Sequence, residues 1–432
     1  MQDPLTRLTC EMRPRERVLA ALNHQEPARV PLDCGGMRST GITAVAYNRL
    51  KEHLGIQGGE ALLYDLVQQL ALPEQWYLDR FGVDVVDLER AYCDDLSEWV
   101  DWTLPDGSTG KRPVWIPIER ASGSWVYRHP QGELLAEMPP KGYYFDQRCW
   151  PLMGVPESEF GKLEEFIDKV MWKAMATPSW RRANEPDFYE ELQRRARSLY
   201  ENTDYAIMVA YGAQLMEMGQ FLCRIDNFLA DLAGNRRRAE ALLDRLVEIH
   251  IAGLDRFLKA VGPYVQIVQV GDDLGMQTGP EISPRMFREL FLPRYRAIYQ
   301  EIKRRSNLYI FMHSCGSIYR LLPDIIEAGV DIINPVQTSA ADMDPRRLKE
   351  EFGKELVFWG GGCDTQRVLC HGTPDQVRRE VEEMVNTFAP GGGFVFAQVH
   401  NILPEVPVEN ILAMYEAFRD CCGYPTPSPR TG

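Results

Sequence analysis

From residue 205 onward the chain alternates between short apolar runs and amphipathic stretches, and the apolar runs stop at polar or ionisable residues. "YAIMVAYG" ends at Gly212, and "YVQIVQVGDDLG" runs into Asp272 and Asp273. "NLYIFMHSCG" reaches His313 and Cys315, and "VDIINPVQ" reaches Asn334 and Gln337. "ELVFWGGGCD" ends at Cys363 and Asp364, and "GFVFAQVHNI" at His400 and Asn401. The intervening stretches have helical spacing and helix-start signals, such as Ser283 followed by Pro284. Strands alternating with helices imply parallel β-α-β units. With strands at 30–33 and 83–88 the count reaches about eight, which predicts a closed (β/α)8 TIM barrel of the α/β class over an open sheet. Such barrels build their active sites at the C-terminal strand ends, where these polar residues fall.

The first half is less regular. A helix is expected at 14–24 and another near 43–55, and residues 64–82 read as helix in two pieces. Residues 90–160 change character, with Trp99, Trp102, Trp115, Trp125 and Trp150 among many turn residues and "HPQGE" as a hairpin turn. This region reads as an aromatic-rich β-hairpin and loop insertion in one unit spanning 1–432. It is equally a lid over an aromatic substrate, a docking face, or a small core of its own. Acidic helices are expected at about 156–172 and 185–201.

Charge and cysteines narrow the function. A net charge of −14 makes nucleic acid and anionic membrane poor partners, since both reward basic patches. The N-terminal stretch "MQDPLTRLTCEMRPRERVLAAL" has no apolar core of a signal peptide, and no apolar run is long enough to span a membrane. Ten cysteines without framework spacing then suggest reduced thiols in a cytoplasmic protein.

Within "FMHSCGSIYRL", His313 and Cys315 sit on alternate positions at a strand end, so both side chains face one spot. That is the start of a metal site or of a nucleophile–base pair. Asp272 and Asp273 form a carboxylate pair suited to acid–base work, or one caps a loop while Asp273 stands near the site. Glu217, in "AQLMEMGQF", either faces the site or belongs to an amphipathic helix.

Six stretches together resemble the uroporphyrinogen decarboxylase superfamily. They are "RERVLAALNHQEPARVPLD", "GDDLG" followed by "ISPRMFRELFLPRY", "HSCGSI", "AGVDIINPVQ", "GGGFVFAQVHNI" and "VPVENILAMYEA". The resemblance covers residues 14–89 and about 205–424 and implies a (β/α)8 barrel. Decarboxylases of that superfamily carry an arginine-rich motif after the first strand that grips substrate carboxylates. Here that region reads "DCGGMRSTGI", with Arg38 alone. The resemblance therefore points to the cobalamin-linked methyltransferase branch, whose members hold zinc with a His-x-Cys pair and a later Cys. His313 and Cys315 match the pair. The later ligand aligns with His400 rather than a cysteine, and Cys363 is a second candidate for the third place. On this resemblance the chain is a zinc-dependent methyltransferase. It would move a methyl group between a small methylated substrate, such as an aryl methyl ether, and a corrinoid. The chain lacks an Asp-x-His-x-x-Gly cobalamin motif, so the corrinoid is expected on a separate corrinoid protein. The resemblance also suggests a homodimer. The competing expectation is a metal-independent decarboxylase of a polycarboxylate.

Overall fold

The structure is a computed structural model and describes residues 12–423. The expectation of no signal peptide rests partly on residues 1–11, outside that range. Seven parallel strands form one curved sheet. In chain order they are β1 (Val85–Asp87), β2 (Ala206–Gly212), β3 (Ile267–Gly271), β4 (Tyr309–His313), β5 (Ile332–Asn334), β6 (Val357–Trp359) and β7 (Phe394–Val395). Each pairs with its sequence neighbour.

The eighth position is taken by the extended segment 30–33, which the sequence read as a strand. Asp33 N donates to Phe396 O at 2.9 Å and Phe396 N to Pro31 O at 2.9 Å, while Asp84 N donates to Leu32 O at 2.8 Å. These bonds join the two sheet edges and close the barrel. Pro31 has no N–H to give, so the segment reduces to a bridge, Leu32 to Phe396, instead of a full ladder.

Alternation then sorts the side chains. Val85, Met208, Ile267, Phe311, Ile332, Val357 and Val395 pack together inside the barrel, and Val18, Ala21 and Leu22 of the first helix (Pro14–Leu22) join them. Phe311 points inward, so His313, two residues on, points inward above it. The same step places Asn334 above Ile332. The last strand is shorter than its sequence suggested. After Val395 pairing continues only as a bridge at Phe396 and backbone bonds at Ala397 and Val399, and His400 takes a left-handed φ of 66°. That turn brings residues 398–401 across the barrel mouth.

Two other expectations change. Residues 64–82 contain one helix, Gln75–Phe81, and an antiparallel pair, Leu63–Asp65 with Leu70–Ala71. Buried side chains run continuously through Leu63–Val67 and again over Gln69–Ala71, the pattern of a doubly covered strand pair rather than one helical stripe. The stretch 156–172 breaks into short turns of helix at Glu157–Lys162, Leu163–Ile167 and Met171–Ala174. Residues 90–160 do form hairpins, with strands Ser124–Arg128 and Leu134–Met138 flanking the expected turn. Their tryptophans pack on one another: Trp99 lies 5.7 Å from Trp115 and Trp102 4.5 Å from Trp125 between ring centroids. Trp99 and Trp102 are buried. Among the described residues no helix is long and apolar enough to cross a membrane.

Candidate metal centre and active-site cavity

At the C-terminal mouth of the barrel, His313, Cys315 and His400 converge, with one potential ligand atom of each within 4.8 Å of the others. His313 Nε2 lies 3.4 Å from Cys315 Sγ. Two ligands of a tetrahedral zinc, at about 2.0 and 2.3 Å from the metal, stand about 3.6 Å apart. Two imidazoles and a thiol at this spacing fit a zinc site of three protein ligands with one position open to substrate.

The hydrogen bonds around His313 decide which nitrogen is free. Asn334, its register partner on β5, gives its side-chain N–H to Trp359 O at 2.9 Å. That fixes the amide orientation and turns Oδ1 towards His313. Oδ1 accepts from Ser39 Oγ at 2.7 Å and stands 2.7 Å from His313 Nδ1. Nδ1 must carry the proton, so Nε2 offers its lone pair to the cluster. His400 is neutral for a different reason: burial and the neighbouring His313 push its pKa down to about 4. The two rings lie 5.4 Å apart, edge to face.

Cys315 sits just beyond the strand, where its N–H donates to Asp273 Oδ1 at 2.8 Å. Burial and the carboxyls of Asp273 and Glu217 push its thiol pKa well above the usual thiol value. A thiolate there calls for a cation close by. Gly316 makes the turn possible. Its φ is 79°, and a Cβ would meet Gly275 O at 2.3 Å, backbone against backbone. Gly316→Ala is expected to cost about 1–3 kcal/mol and to displace Cys315. A denaturant midpoint measured beside metal content checks both effects.

Asp272 and Asp273 divide their roles. Asp272 is fully buried and accepts from Leu215, Met216 and Glu217 N–H groups at 2.5, 2.9 and 2.7 Å and from Tyr295 OH at 2.5 Å. It anchors the start of the helix Met216–Cys223. Asp273 faces the site, its Oδ1 3.6 Å from His313 Nε2. Glu217 is carried by the anchored helix into the same cavity. Burial, then the charges of Asp273 and Asp272, raise its pKa well above the usual carboxyl range.

Cys363 does not join the cluster. Its N-terminal neighbours pair with the last strand, and its own carbonyl accepts Val399 N–H, but its thiol turns outward to Glu380 at 3.4 Å. There burial and Glu380 hold it protonated. Strand alternation from Val357 and Trp359 would aim residue 363 inward, but the positive φ of Gly360 (115°) and Gly361 (69°) breaks it and turns this side chain between sheet and helix.

The cluster opens into a cavity of about 410 Å³. Its walls include Trp172, Trp180, Tyr211, Phe221, Glu217 and Asp273. Trp180 is fixed by Nε1–H to Ala210 O at 3.1 Å and by stacking on Phe257. The strap 171–180 that supplies both tryptophans is tied down by buried Glu89, which accepts from Ser179 N and Oγ at 2.7 and 2.6 Å. A lid was one of three readings of 90–160, but the tryptophans of the cavity wall come from this later strap. Short helical turns hide such residues from periodicity.

A family model described as uroporphyrinogen decarboxylase (URO-D) matches residues 194–421. Uroporphyrinogen decarboxylase of Magnetococcus marinus is 22% identical over 185 residues, 41% of this chain and 47% of that protein. The enzyme of Pseudoalteromonas translucida is 28% identical over 174 residues, 39% of this chain and 44% of that protein. The matched part thus spans about half the length of these curated relatives. Among solved structures, a methyltransferase from Methanosarcina mazei covers 95% of this chain and 99% of its own, with a TM-score of 0.55 and 18% identity, a likeness of fold.

Proposed function

The chain belongs to the uroporphyrinogen decarboxylase family, and on that premise we propose that it is a zinc-dependent methyltransferase. It moves a methyl group from a small aryl methyl ether to the corrinoid of a separate protein. The convergence of His313, Cys315 and His400 at the barrel mouth, with Nε2 of His313 freed by Asn334, carries the reading. Zinc bound there would act as a Lewis acid on the ether oxygen, making the departing aryloxide a better leaving group.

The chain's own residues do the rest. Asn334 holds the His313 ring in place and in the required tautomer. Asp273 holds the Cys315 backbone. Glu217, in the cavity wall beside His313 and His400, is the carboxyl placed to give a proton to the departing oxygen. The aromatic walls seat the ring and exclude water. With the Cys363 thiol turned to Glu380, only His313, Cys315 and His400 converge among the described residues, and three protein ligands would leave a fourth position for substrate.

The curated relatives' name favours a second reading, metal-independent decarboxylation of a polycarboxylate. Such a substrate needs several cations, and Arg38 and Lys173 are the arginine and lysine lining the cavity. A volume of about 410 Å³ also sits at the small end of ligand pockets. Elemental analysis separates the readings. About one zinc per chain is expected, and protein that neither carries zinc nor takes it up would favour the decarboxylase. Asn334→Ala, which frees the tautomer, is expected to weaken zinc binding about 10–100-fold in a competition titration while the fold persists.

A further inference from the structure

Lys173, in the short turn Met171–Ala174, lines the cavity together with Trp172 and Trp180 of the strap. Its Nζ makes no hydrogen bond or ion pair among the described residues. Asp168 feels its charge, yet the two lie beyond ion-pair distance. Arg38, the other cation of the wall, is occupied: it approaches Asp65 at 3.4 Å and lies 5.2 Å from the Trp172 ring centroid. Lys173 also lines an adjoining open groove of about 730 Å³, which shares Ala176 and Trp180 with the cavity, so solvent reaches it.

An uncommitted ammonium beside two tryptophans, in a chain of net charge −14, is a local exception to a field that repels anions. Aromatic walls accept a planar ring, and the ammonium accepts a charge on its rim. Resting on the methyl-transfer reading, we propose that the substrate is a monocyclic aryl methyl ether that also bears a carboxylate, and that Lys173 binds this carboxylate. The ring then lies between Trp172, Trp180 and Tyr211, with the methoxy group directed to the His313 end. Lys173 determines specificity and takes no part in the chemistry.

Calorimetry on the full-length protein tests this with two unreacted probes, 3-methoxybenzoate and the uncharged 3-methoxybenzyl alcohol, and needs no corrinoid partner. The wild type is expected to bind the acid at least about ten-fold tighter than the alcohol, the scale of one charge-assisted hydrogen bond. Lys173→Gln should erase that preference while the alcohol's affinity stays within about two-fold, and Lys173→Arg should restore it. Lys173 supports no other side chain, so neither variant should disturb folding, and unchanged alcohol binding verifies this. An acid-to-alcohol ratio equal in the wild type and Lys173→Gln, or a wild type that does not prefer the acid, overturns the proposal. Lys173-dependent acid binding by a protein unable to hold zinc would instead overturn methyl transfer and leave the carboxylate subsite standing.

Discussion

His313→Ala and Cys315→Ala are each expected to purify with less than about a tenth of the wild-type zinc, whereas Cys363→Ala keeps it in full. His400→Ala should lose most of it. Each cluster member supplies one of three protein ligands, and two ligands alone bind zinc weakly at neutral pH because protons compete for them. The control is informative because Cys363 was as eligible as His400 from sequence. Its thiol points to Glu380, between sheet and helix, and burial keeps it protonated. Methyl transfer should fall to background in the first two variants. Zinc retained in full by Cys315→Ala would remove the basis of the proposed function.

Glu217→Gln is expected to lower kcat about 10²–10⁴-fold with zinc content and substrate affinity nearly unchanged. The amide matches the protonated carboxyl in shape, so the cavity wall is preserved. It has no proton to give to a departing aryloxide. The helix bearing Glu217 is held at its start by Asp272 through three backbone amides, and this anchoring does not involve the Glu217 side chain. The loss should therefore appear in kcat rather than in stability. A substrate whose leaving group is a stronger acid, and so needs no proton, should recover much of the loss. Equal losses for good and poor leaving groups would assign Glu217 a purely structural part.

Much of the barrel was legible because its signals are local. Strand-length apolar runs, helix caps such as Ser283 with its bond to Met286, and the two-residue period that aims His313 inward all depend on near neighbours. Where local signals ran out, reading failed. Pro31 removed a donor and turned an expected strand into a bridge. The apolar stretch near residue 64 read as helix because both faces are buried. The tryptophans of 90–160 left a lid, a docking face and a small core of their own equally open, and they pack on one another, while Trp172 and Trp180 gave no periodic signal from their broken turns.

Residue order thus set the fold class, through strands alternating with helices, and the nearness of His313 to Cys315, through their two-residue spacing. The choice of His400 over Cys363 belonged to the folded chain. Both lie just past strand ends, and the backbone there decides: the chain with a left-handed turn at His400 brings its ring to His313 and Cys315, while the positive φ of Gly360 and Gly361 precedes a Cys363 thiol turned to Glu380. The tautomer of His313 was likewise beyond sequence. It depends on Asn334, Trp359 and Ser39, residues distant along the chain that meet only when the barrel closes.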